Sequence, residues 1–296
     1  MSAASPGTRL DDPGSAAPEG RDLPEPTDTL RRTPFPLFSK VFTDSWRSLL
    51  GWGAGLAAAT FLYLPLFPSM TGDAGMQDLI NNLPSELTRT LNYDQIGTGA
   101  GYTQATLFGL IGFLLLTIAT TSWGAAALGG DEESGRLELT LAHGVTRVQV
   151  AVQRFAAMLV QIVVLCALVF TLVWLLNDSA QLQLDTGYLL GTTLLLAGLS
   201  LLIGSVALLG GALTGRRVGG VAAGASVAVI GYVFNALGNQ SSDLEWLHTF
   251  SPYSWAYAHD PLSAGANTGT IVLFFGLSLI LAAITAFVLR RRDIGV

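Results

Sequence analysis

The sequence predicts an all-α integral membrane protein with six transmembrane helices, an N-terminal interfacial helix and a short charged helix between spans two and three. Three observations lead there. Charged residues make up 12% of the 296-residue chain and hydrophobic residues 50%, whereas soluble domains are about a quarter charged. Six apolar runs are each long enough to cross a bilayer, which takes roughly 20 residues at about 1.5 Å rise. One charged, helix-coded insert interrupts them, between the uncharged stretches 95–130 and 155–177.

In chain order, residues 1–34 hold half of the 12 prolines together with Gly, Ser, Asp and Glu. That composition buries no core and reads as a disordered cytoplasmic tail ahead of a membrane domain over 35–296. The first apolar run starts near Leu49, too late for a cleavable leader. Phe35 to Trp46 interleaves Phe35, Leu37, Phe38, Val41, Phe42 and Trp46 with polar residues, the pattern of an interfacial amphipathic helix. The expected spans are Leu49–Pro68, Ala105–Leu128, Phe155–Leu176, Gly187–Leu209, Val218–Leu237 and Thr270–Leu289. Only Thr214-Gly215-Arg216-Arg217 parts spans four and five, so they read as a tight hairpin. Gly97 to Gly101, G-T-G-A-G, lacks the lysine of a phosphate-binding loop and reads as a flexible outer linker. The aromatics of Leu244 to Tyr257 read as headgroup-level anchors.

Orientation follows from the arginines. With the N-terminus inside, the inner segments hold every Lys and Arg of the 15 except Arg89, and both termini are cytoplasmic. The outer loops collect acids instead, among them Asp178, Asp185, Asp243, Glu245 and Asp260.

The insert encodes helix, break, helix. Asp131 can cap a helix whose first turn holds Glu132 and Glu133, at the positive dipole end. Arg136 stands four residues after Glu132, the spacing of a helical ion pair, and Leu137 and Leu141 share one face. Gly144 ends this helix, and Thr146 with Gln149 forms a capping box that opens span three. By itself such an insert is either a solvated loop or a docking surface for another protein.

Glu132 to Arg147, E-E-S-G-R-L-E-L-T-L-A-H-G-V-T-R, resembles the first cytoplasmic loop of ABC-2 type transporter permeases, with its E-x-G-[ST]-L-E-x-L-L pattern followed by P-[VI]-[ST]-R. Glu133, Gly135, Leu137, Glu138 and Leu141 match the first part; Val145, Thr146 and Arg147 match the second. Arg136 stands where the family has a small hydroxyl residue, and Gly144 where proline is common. The ending F-V-L-R-R-R-D-I at 287–294 and Ser251-Pro252-Tyr253 resemble further family segments. The chain also looks like one half of the polyketide-antibiotic exporter permeases.

The resemblance implies the membrane subunit of an ATP-driven ABC exporter in the cell membrane. Two permease chains, alike or different, would form the pathway, and separate cytoplasmic ATPases would hold the ATP and Mg. The 131–143 helix would be the cytoplasmic coupling helix. Its contact residues would be Glu132, Glu133, Gly135, Arg136, Leu137, Glu138 and Leu141, with Arg147 anchoring the following turn.

Other chemistry is sparse. The chain has no P-loop, no catalytic array, and three histidines (His143, His248, His259) at no metal-ligand spacing, so no cofactor, metal or nucleic acid is expected. Cys166 lies inside an apolar run and reads as a small core residue. The spans carry Thr, Ser, Gln and Asn but no charge at depth, unlike ion-coupled carriers. Energy for active transport would then come from outside the membrane domain, and the cargo would be a hydrophobic or amphiphilic compound such as a drug, antibiotic or lipid. G-x-x-x-G pairs at Gly51/Gly55, Gly187/Gly191, Gly211/Gly215 and Gly220/Gly224 permit close helix approach, within the chain or against a second copy. The alternative functions are a signalling or assembly protein that recruits a cytoplasmic partner, and a passive channel or carrier.

Overall fold

The computed structural model describes residues 36–72, 96–142 and 144–292. The proposed tail over 1–34, the acids and Arg89 of 73–95, His143 and the last four residues lie outside them. The described residues are helical, with no strand, and contain six helices long and apolar enough to cross a membrane.

Helix α1 runs over Pro36–Tyr63. The segment expected to form a separate interfacial helix is therefore continuous with the first span, because no Gly or Pro breaks the helix between Leu37 and Arg47. Helix α2, Gly99–Glu133, is a single 35-residue rod. It relaxes to wider π-type turns over Gln104–Ile111 and Ala126–Gly130. The Gly109 carbonyl accepts a hydrogen bond from the Tyr253 hydroxyl at 2.8 Å, which draws it off the regular ladder. Thr98 caps the start of α2, and a Cβ on Gly99 would meet the Leu182 carbonyl at 2.1 Å. The G-T-G-A-G segment is thus a packed helix start and not the expected flexible linker.

Helix α3 is Arg136–Ala142, α4 is Arg147–Leu176, α5 is Thr186–Thr214 and α6 is Arg217–Gly238. The expected capping box is present, Thr146 and Gln149 satisfying each other's backbone N–H groups. The α5–α6 hairpin turns on Gly215 in the left-handed conformation (φ 66°). Short helices α7, Pro252–Tyr257, and α8, Pro261–Ala264, precede the last span, α9, Thr268–Arg291.

Helix α5 is the centre of the bundle. It packs on α2, α4, α6 and α9, while α1 lies outside against α4. Its sequence is apolar or small on every side, as a mostly buried helix requires. Glycines set the spacing. A Cβ on Gly220 would lie 2.7 Å from the Ala125 Cα, and one on Gly124 would lie 2.4 Å from the Gly204 carbonyl oxygen. The Gly220/Gly224 pair therefore packs within the chain, whereas a Cβ on Gly51 would meet nothing within 4 Å. Cys166 is buried in the core, as its sequence context implied. Exposed Val, Leu and Ile on α4, α6 and α9 face outward, as lipid-facing spans require.

The 244–257 aromatics divide. Trp246 and Phe250 are exposed, as anchors would be, but Tyr253 and Tyr257 turn inward and are buried. Ser251 caps α7 and also donates to the Gly231 carbonyl, while Pro252 occupies the first helical position, where a missing N–H costs nothing. Tyr253 stacks edge-on against Phe113 and Tyr232. Burial pushes the Tyr257 phenol well above its ordinary range, with Tyr253 adding to the effect.

Candidate functional site

The charged insert gathers five helix ends into one polar knot. Asp131 does not cap a new helix as expected, because α2 continues through it with helical backbone angles. It is buried, and its carboxylate is bound by Arg154 of α4 and by Arg136 at 3.4 Å. Arg136 therefore pairs with Asp131 and not with Glu132. The reason is local: Gly135 takes the left-handed conformation (φ 70°) and breaks the helix between them, so the four-residue spacing no longer brings the two together.

Glu132 reaches Arg292, just past α9, at 3.0 Å. Arg292 also donates to the Ala212 carbonyl at 2.8 Å, near the end of α5. Glu133 accepts the Arg217 backbone N–H at 3.1 Å. Helix α6 begins after Arg216, whose side chain makes no cap, so Glu133 from another span supplies both the acceptor and the negative charge. Arg147 donates to the Leu289 and Arg292 carbonyls, closing the C-terminal end of α9 instead of anchoring only its own turn. The contacts of Glu133, of Arg147 and of Arg292 with Ala212 satisfy helix-terminal groups that otherwise lack partners.

Helix α3 hangs from this knot between two left-handed glycines, Gly135 and Gly144 (φ 79°). A Cβ at either would meet nothing within 4 Å, so glycine is demanded there by backbone conformation and not by space. Gly144 ends the helix with its N–H on the Leu141 carbonyl at 3.2 Å, as the sequence indicated. Leu137 is 1% exposed and Leu141 is half-buried, both against the chain's own core. The outward surface consists of Arg136, Glu138 and Leu139, the last 65% exposed.

The eight predicted site residues are thus close in space but divided in task. Glu132, Arg147 and Leu137 face inward with Leu141 half-buried beside the core, Glu133 caps α6 while remaining exposed, and Arg136 and Glu138 line the outer face with Gly135 at its edge. Sequence reasoning missed Asp131 as a hub with Arg154; it also missed Arg292 and Arg217 as the long-range partners of Glu132 and Glu133, and Leu139 as the outward leucine. For Arg154 one signal existed: a charge at the start of an apolar span needs a partner.

This arrangement sets the Asp131 and Glu132 carboxylates against guanidinium groups, joins helix ends and presents one short helix outward. Among the described residues no cluster of three or more His, Cys, Asp or Glu could hold a metal. Residues 34–290 match the family model described as Multidrug efflux system permease Rv1217c, C-terminal domain. The chain belongs to that family. No curated protein and no solved structure matches it. As an efflux permease of the ABC-2 type, with six candidate spans, it is a multi-pass membrane protein and the transport component of a system with other subunits. Within this permease the knot lies at one end of the bundle, where five of the six spans meet.

Proposed function

We propose that this permease is the membrane subunit of an ATP-driven exporter, with ATP and Mg held by separate cytoplasmic subunits that dock on α3. The observation that carries the reading is the geometry of α3. A seven-residue helix, suspended between two left-handed glycines, buries Leu137 in the bundle and offers Arg136, Glu138 and Leu139 outward. A docked ATPase would push on that face. Leu137 would carry the push into the core, and Asp131, Glu132 and Arg147 would pass it to α4, α9 and α5. Only a partner that binds two arrangements of α3 unequally can shift the bundle between them.

The same reading puts α3 and both termini in the cytoplasm of a cell-membrane protein, in keeping with the arginine asymmetry. A pair of permease chains, identical or not, would form the pathway. The uncharged spans favour a hydrophobic or amphiphilic cargo such as a drug, antibiotic or lipid.

The test is co-purification of the tagged chain with the products of its neighbouring genes, followed by ATP hydrolysis and transport assays. Leu139→Asp should leave the chain inserted yet reduce ATPase recovery and stimulated hydrolysis about tenfold, the effect of removing one central apolar contact. Leu137→Asp is a poor probe, because it places a charge in the core. Undiminished recovery and transport in Leu139→Asp would overturn α3 as the docking element. Recovery of the folded chain with no ATPase would favour a signalling or channel role.

A further inference from the structure

At the end of the bundle opposite Asp131, a cleft of about 740 Å³ opens between the Ser242–Phe250 segment, α7 and the start of α9. Glu245, Trp246, His248, Ser254, Trp255 and Asn267 line it. Its walls are held in place before any ligand arrives. The Trp255 indole N–H donates to the Thr249 carbonyl at 3.0 Å, and its ring packs on Phe274 of α9 at 6.2 Å. Trp246 stands edge-on to Phe250. The His248 ring sits over Gly238, where a Cβ would collide with it at 2.5 Å, and its Nε2 lies 3.4 Å from the Asn235 carbonyl oxygen.

Two features give the cleft a chemical preference. Ser254 lines the cleft, and its hydroxyl is buried, with no hydrogen-bond partner among the described residues. Buried hydroxyls are normally paired, so this one is a polar group left over in the cleft wall. The charge is one-sided as well. Among the described residues at this end, 177–185 and 239–267 contain Asp178, Asp185, Asp243, Glu245 and Asp260 but no Lys or Arg. Aromatic faces beside a carboxylate, in a negative field, attract a cation with an apolar body.

We propose that this cleft binds organic cations carrying an apolar body, and that it receives them as they leave the pathway. The receiving role rests on the export function proposed above; the binding does not. The ammonium of a lipid headgroup and that of a soluble amphiphile share this chemistry.

The experiment uses the full chain in nanodiscs of phosphatidylglycerol, without ATPase or nucleotide. Tetraphenylphosphonium is the cationic probe and tetraphenylborate its anionic counterpart of the same shape, each read as saturable binding above empty discs. Saturable binding of the cation is expected, weakened about five- to tenfold by Glu245→Gln and by Trp246→Ala. The anion should bind more weakly and be unaffected by Glu245→Gln. Both positions are exposed, so the variants should fold, and an unchanged melting midpoint checks this. Equal affinity for cation and anion, or cation affinity within about twofold of wild type in both variants, would overturn the proposal. Competition by added phosphatidylethanolamine supports the site with a headgroup as occupant; lack of competition supports it with a soluble amphiphile. Failure to recover an ATPase would remove the export reading and leave this binding result standing.

Discussion

Asp131 is the residue on which the polar knot depends. Its carboxylate is largely buried, and two guanidinium groups from other positions in the chain offset that burial. Removing one partner of a buried pair leaves the other uncompensated, which costs about 3 kcal/mol. Asp131→Asn should therefore lower the melting midpoint of the detergent-solubilised chain clearly, and Arg154→Gln should do the same. Because the two act as one unit, the double variant should lose much less than the sum of the singles. Additive losses would show that Asp131 and Arg154 act separately. Gly135 tests a different cause at the same scale. A left-handed position costs a side chain about 1 kcal/mol or more, and asparagine tolerates it better than alanine. Gly135→Ala should reduce stimulated ATP hydrolysis in the complex while Gly135→Asn retains most of it. Equal effects of the two would point away from backbone conformation.

At the scale of elements, the bundle is assembled by close backbone approach around α5. Helix α6 presents Gly220 to Ala125 and Ala207, leaving no room for a side chain. Gly220→Leu should force α6 away from α2 and α5, lose the Glu133 contact at its N-terminus, and abolish recovery of monodisperse protein. Gly51→Leu, on an open face of α1, should leave yield and melting midpoint unchanged. A matching loss in Gly51→Leu would mean that this face of α1 packs against a second copy. Parallel readings at the two glycine pairs were equally permissible from spacing alone. The contrast arises from which face of each helix meets a neighbour.

For the whole molecule, the knot joins α2, α4, α5, α6 and α9 at one end, while α7, α8 and the Ser242–Phe250 segment close the other. The two ends differ in charge, with arginines around the knot and carboxylates at the far end. The proposed orientation has a direct readout. With Cys166 replaced by alanine, a cysteine at Glu138 should react with a membrane-impermeant maleimide only from the cytoplasmic side, and one at Ser242 only from outside. The opposite pattern would invert the molecule and place α3 beyond reach of a cytoplasmic ATPase. Six spans, the tight α5–α6 turn, the Gly144 stop and the Thr146–Gln149 box were all legible in the sequence. Each is written in a short stretch of chain: hydropathy length, a left-handed glycine, or a cap three residues from its partner.

The sequence by itself thus determined the six spans, the turn between α5 and α6 and the Gly144–Thr146 break, because backbone hydrogen bonding and apolar length are local properties. Only the tertiary structure decided how the charges and leucines of the insert divide between the inside and the surface. Glu132 finds Arg292 and Glu133 finds Arg217 across long sequence separations, and no periodicity records such pairs. In the seven residues of α3, leucines stand at 137, 139 and 141, so an apolar residue occurs on more than one face. Which leucine turned inward depended on the turn at Gly135 and on the core waiting beneath it, so Leu137 became the anchor and Leu139 the outward contact.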